Sequence, residues 1–110
     1  MRKGSTYENI ATEYLRSKGY TILARNYHCG TGEIDIIALE GDVLVFVEVK
    51  GAKNKTYGHP AERFSEEKLN RILSCAYRFM EEHSYECTFR IDLITVEGKK
   101  IGHFKNLGFF

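Results

Sequence analysis

The sequence predicts one α/β domain, a central mixed sheet with flanking helices. Three observations carry that expectation. Apolar residues recur at helical spacing in two stretches, near residues 6–18 and 65–83. The segments between and after them are strand-length and rich in Val, Ile, Phe and Tyr. The resulting order, α-β-β-β-α-β-β, sets a helix between strands of one sheet and calls for helices packed on it. With 110 residues and 43% hydrophobic content, the chain suits a single domain over residues 1–110 with a real core.

The first helix is expected over 6–18, where Tyr7, Ile10, Ala11, Tyr14 and Leu15 share a face and Gly19 ends it. Ser5 and Glu8 match a capping box, so Glu8 has a structural role on offer beside any other. A strand follows at 20–27, then a turn at 28–32. Strands at 33–39 and 43–50 form a hairpin across Gly41-Asp42, where a leading glycine suits a type II′ turn. The segment GAKNKTYGHP, holding the single proline, Pro60, reads as a polar connection. The second helix, 65–83, presents Leu69, Ile72, Leu73, Ala76, Tyr77 and Met80 as its apolar stripe. A strand at 86–97 and a short return at 101–105 across Gly98-Lys99 complete the sheet.

No apolar run reaches membrane-spanning length, and the N-terminus turns polar at once, so no membrane association and a cytoplasmic location are expected. Cys29, Cys75 and Cys87 are odd in number and lack metal-ligand spacing. Buried free thiols are expected rather than a disulfide or a zinc site. His28, His59, His83 and His103 form no spaced ligand pair. Net charge is +1, so any nucleic-acid surface must come from local clusters such as Lys50, Lys53 and Lys55.

The hairpin carries the chemistry. In the register set by its turn, Ala38 faces Val45, Ile36 faces Val47 and Ile34 faces Val49, giving one apolar face. The other face pairs Leu39 with Leu44, Ile37 with Phe46, Asp35 with Glu48, and Glu33 with Lys50. A one-residue slip would mix charge into both faces. Two carboxylates about 5 Å apart repel by roughly 3 kcal/mol at an effective dielectric near 20. A divalent cation reverses that sign, and hard oxygen ligands suit Mg2+ or Mn2+. Lys50, on the same face, can stabilise a phosphate or hold a metal-acidified water. The competing reading is a surface salt-bridge cluster contributing little.

These motifs resemble a known family. Glu8 with Ala11 and Tyr14-Leu15, Gly32-Glu33-Ile34-Asp35, Val45 to Lys50, Lys68, Arg90-Ile91-Asp92 and Ile101-x-His103 together resemble the YraN-like family of small bacterial proteins. Asp35 with Glu48-Val49-Lys50 is similar to the PD-(D/E)XK nuclease superfamily, nearest in arrangement to archaeal Holliday-junction resolvases. The resemblance implies a restriction-endonuclease-like fold, with Asp35, Glu48 and the Val49 carbonyl holding the metal. It gives Lys50 the attacking water and brings Glu8 to the site from the first helix. It further implies a homodimer, for which the apolar tail 107–110 offers surface either to a partner or to the chain's own core. Where the family typically continues with Thr-Arg, this chain reads Gly51-Ala52-Lys53, and lysine lacks arginine's bidentate fork.

Lys68 is expected to reach the sheet face, joining Lys53, Lys55 and Tyr57 as a nucleic-acid contact, or to snorkel outward. Tyr57, beside Lys53 and Lys55, can stack on an unpaired base. His59 reads as a surface histidine, Glu33 as the ion-pair partner of Lys50, and Arg90 with Asp92 as a structural pair. The function expected is a metal-dependent nuclease acting on branched or structured DNA. The alternatives are a non-catalytic DNA-binding or adaptor module and a protein-binding domain without nucleic-acid contact.

Overall fold

A computed structural model describes residues 3–52 and 65–107; side chains are described from Thr6 to Gly51 and from Ser65 to Leu107. The elements are α1 (Lys3–Ser17), β1 (Thr21–His28), β2 (Glu33–Glu40), β3 (Val43–Ala52), α2 (Glu66–Glu82), β4 (Phe89–Glu97) and β5 (Lys100–Phe104). The expected order is met in outline, with several bounds moved. The strands form one mixed sheet in the order β1-β2-β3-β4-β5. Only β3 and β4 run parallel, joined by the crossover that contains α2; the other neighbours are antiparallel.

Each helix covers one face. Ile72, Cys75, Ala76 and Phe79 of α2 pack on Ile37, Phe46 and Ile91. Ala11 and Leu15 of α1 pack on Ile36, Ala38, Val45, Val47, Ile94 and Val96. The central strands are therefore apolar on both faces, as a sheet between two helices demands. Gly41 takes φ +61 at the head of the β2–β3 turn, a value that other residues rarely adopt. Ser65 caps α2 by accepting from the Lys68 backbone N–H at 3.1 Å. Among the described residues no helix is long and apolar enough to cross a membrane.

Four expectations are corrected. Helix α1 starts at Lys3, so Ser5 lies inside it and the capping box with Glu8 is not its start. Tyr77 is 56% exposed, while Phe79 and Cys75 take its place in the core. The α2 face looks onto the sheet slightly off the expected stripe. Cys29 and Cys75 are not free thiols: the end of β1 and the middle of α2 meet with 5.4 Å between Cα atoms, and the pair is a disulfide. Sequence separation hid that proximity, because only the tertiary packing of α2 creates it. Cys87 is free, as expected. Finally, Ile34 packs beneath α2 with Ile37, not beside Ile36 under α1. The alternation of β2 breaks at Asp35, where the site begins.

Candidate functional site

The β2–β3 ladder holds the expected register from Glu40↔Val43 through Ile36↔Val47 and stops there. Beyond it, the expected Asp35–Glu48 and Ile34–Val49 backbone pairings are not made. Instead the Val49 N–H donates to Asp35 Oδ2 at 2.8 Å. A carboxylate has replaced a backbone carbonyl in the ladder, which keeps Val49 satisfied while the strands part. The N–H and C=O of a strand residue point the same way, so the Val49 carbonyl faces the same gap. Strand β3 stays straight because its other edge pairs with β4 as far as Ala52↔Glu97.

Asp35 and Glu48 are buried, with 8% and 7% of their surface exposed. Burial, then the charge of Glu48, pushes the Asp35 carboxyl up to about 7, against the lowering effect of the Val49 N–H; Glu8 and Glu33 add to the rise. Glu8, Glu33 and Asp35 offer oxygens that all lie within 4.8 Å of one another. Glu8 therefore reaches the site from α1, as expected, with Arg25 3.9 Å away. Glu33 does not pair with Lys50: His28 stands 3.4 Å from it, and it joins the acidic group. The reason is the parted ladder, which removes the cross-strand partner that a regular hairpin would supply.

The lysines converge on Glu48. Lys68 Nζ lies 2.6 Å and Lys50 Nζ 3.5 Å from the same oxygen, Oε2. Burial opposes the charge on Lys68, but its hydrogen bond to Glu48 and the nearby carboxylates outweigh this and raise its pKa. Serine 65 sets this contact indirectly, because the cap fixes the first turn of α2 from which Lys68 projects. A cavity of about 250 Å³ is bounded by Gly32, Glu33, Asp35, Glu48, Lys68, Arg71 and Ile72.

Asp35, Glu48, Val49, Lys50, Glu8 and Lys68 are thus brought together. Lys53, Lys55, Tyr57 and His59 lie outside the described residues. Arg71 was not singled out by the sequence reading. Its signal was the i, i+3 relation to Lys68 on α2, which puts both on one side of the helix. Arg90 and Asp92 form the expected structural pair at 2.9 Å, with Asp92 on the α1 side of the sheet among Val47, Ile94 and Val96.

The family model described as uncharacterised protein family UPF0102 matches residues 7–96. A UPF0102 protein of Aquifex aeolicus is 42% identical over 106 residues, covering 96% of each chain. One from Sulfurihydrogenibium sp. is 40% identical over 106 residues, 96% of this chain and 92% of that one. A third, from Clostridium kluyveri, is 42% identical over 94 residues, 84% of this chain and 77% of its own.

Proposed function

The chain belongs to the UPF0102 family, the YraN-like family its motifs resemble, and from its site we propose a metal-dependent nuclease with a restriction-endonuclease-like fold of the PD-(D/E)XK type. Its substrate class is branched or structured DNA. One observation carries this reading: the hairpin ladder opens where it reaches Asp35 and Glu48, both buried at the edge of one cavity, with two lysines on Glu48. A purely structural hairpin gains nothing from that opening.

The donor set fits a hard divalent cation. A buried carboxyl held near neutrality by neighbouring carboxylates is unfavourable when ionised alone and favourable with a cation. Asp35, Glu48 and the Val49 carbonyl would hold Mg2+ or Mn2+, with Glu8 and Glu33 flanking. When bound, the ion supplies a water of lowered pKa and counter-charge for the phosphate. Lys50, 44% exposed at its side chain, is free to swing from Glu48 to the attacking water or a phosphate oxygen. Lys68 holds Glu48 in place. Lys53, Lys55 and Tyr57 keep their assignment as DNA contacts, and cutting two strands calls for a homodimer.

A second reading has its own observation. Glu48 already carries two lysines, a self-neutralised cluster that suits a DNA-binding or adaptor module without turnover. The purified protein on duplex, flap and four-way-junction DNA, with MgCl2 or MnCl2, separates the two. Metal-dependent cleavage that disappears in Asp35→Ala and Lys50→Ala supports the nuclease. Cleavage undiminished in both variants marks a contaminant and removes the assignment.

A further inference from the structure

We propose that Arg71 is the phosphate anchor of this site, gripping the nucleic-acid backbone from α2. The substrate class rests on the nuclease reading above; the choice of residue rests on geometry of its own. Arg71 borders the same cavity of about 250 Å³ as Asp35, Glu48 and Lys68. Its Cβ lies 3.7 Å from where a side-chain carbon on Gly32 would stand, an ordinary packing distance that places Arg71 beside the start of β2. The sulfur of the disulfide partner Cys75, one turn on, lies 3.9 Å from that same point. Arg71 thus stands at the cavity's edge with its side chain 49% exposed.

Two cations border the cavity, Lys68 and Arg71, and Lys68 is committed to Glu48. Lys50 and Lys68 both rest on Glu48 Oε2. Arg71 is tied only to Glu67 within the described ion pairs, at 3.5 Å, and Glu67 is 83% exposed. An exposed i, i+4 pair of that length is weak and salt-screened, so a phosphate displaces Glu67 readily. The guanidinium then presents two parallel N–H donors to two phosphate oxygens, a match that a lysine cannot make. Meanwhile β3, past Lys50, ends in Gly51 and Ala52 and adds no further cation within the described strand. The helix supplies what the strand does not.

Fluorescence anisotropy of a fluorescein-labelled four-way DNA junction, in EDTA, reads binding apart from cleavage. Arg71→Ala is expected to weaken binding about tenfold and to reduce the slope of log Kd against log salt by about one. Arg71→Lys recovers the slope but only part of the affinity. Glu67→Gln removes the competitor and tightens binding roughly twofold. A packing role for Arg71 moves neither the salt slope nor the Glu67 variant. Wild-type affinity and slope in Arg71→Ala overturn the inference, as does weaker binding in Glu67→Gln. Cleavage in MnCl2 is scored in parallel. Arg71-dependent binding without cleavage removes the nuclease reading and keeps the anchor; cleavage with Arg71-independent binding does the reverse. Neither binding nor cleavage removes both.

Discussion

At the scale of single residues, Asp35 is where stability and chemistry pull apart. Its folded pKa, about 7, stands above the ordinary aspartate value of 3.8, so between those limits the folded state holds more protons than the unfolded chain. Its contribution to stability is complete below about pH 4 and is lost as pH rises through 7. Asp35→Asn keeps an oxygen for the Val49 N–H and cannot ionise. In EDTA at pH 8 it is expected to unfold at higher urea than wild type, by about 1–3 kcal/mol, while losing Mn2+-dependent cleavage. A variant that is no more stable at pH 8 contradicts the buried-acid account. Gly51 offers a second test. A side-chain carbon there would run into the ring of Tyr7, which lies across the strand from α1. Gly51→Ala is therefore expected to cost about 1–3 kcal/mol in urea unfolding, and less when Tyr7 is also replaced by alanine.

At the scale of elements, what could be read from sequence followed from periodicity, and what could not followed from its local failure. The buried half of β3 and the seating of α2 were legible because Leu44, Phe46, Ile72 and Ala76 obey periods of two and 3.6. The hairpin register was legible for five pairs, since any slip would have buried charge. The parting at Asp35 was not, because a side chain taking over a backbone hydrogen bond leaves no trace in the apolar pattern. Lys68 was ambiguous for a related reason: a long side chain flanking a stripe reaches inward only if an acid awaits it. The disulfide was invisible, as its halves are 46 residues apart. It ties the β1–β2 turn, just before Glu33, to the helix bearing Lys68 and Arg71. Closing a loop of that length in the unfolded chain contributes about 4 kcal/mol. Adding a phosphine reductant, or making Cys75→Ser, is expected to lower the urea midpoint, with a loss of unfolding free energy that is a large part of that amount. An unchanged midpoint would show that the tether adds nothing to the fold.

At the scale of the whole molecule, the sheet divides its two faces between tasks. The α2 face carries the parted ladder, the cavity and Asp35, whose charge is disfavoured first by burial. The α1 face carries a closed polar clasp. Asp92, fully buried, accepts from Arg90 Nε at 2.9 Å and from the Asn106 N–H at 3.0 Å, and meets His103 Nε2 at 2.8 Å. His103 Nδ1 in turn lies 3.0 Å from the Tyr14 hydroxyl, and Arg90 reaches Glu40 at 2.8 Å. One carboxylate thus joins β4 to β5, α1 and β2. Burial works against the charge on Asp92, but its partners outweigh that and hold its pKa below the usual carboxylate value. Its sign is opposite to that of Asp35: its contribution is present above about pH 4 and disappears as pH falls through its lowered pKa. In EDTA the two faces together place the stability maximum on the acid side of neutrality, with Asp92 governing the acid limb and Asp35 the decline toward pH 7. A cation held as proposed would take the place of the proton at Asp35, so MnCl2 is expected to flatten the second limb and leave the first untouched. Urea midpoints from pH 3 to 8, with and without MnCl2, measure both limbs. Asp35→Asn should remove the neutral decline and its manganese response. Asp92→Ala should cost about 3–5 kcal/mol across the neutral range while the folded protein keeps its manganese response. If manganese stabilised the protein equally at pH 4 and pH 8, the cation would be acting elsewhere than at Asp35.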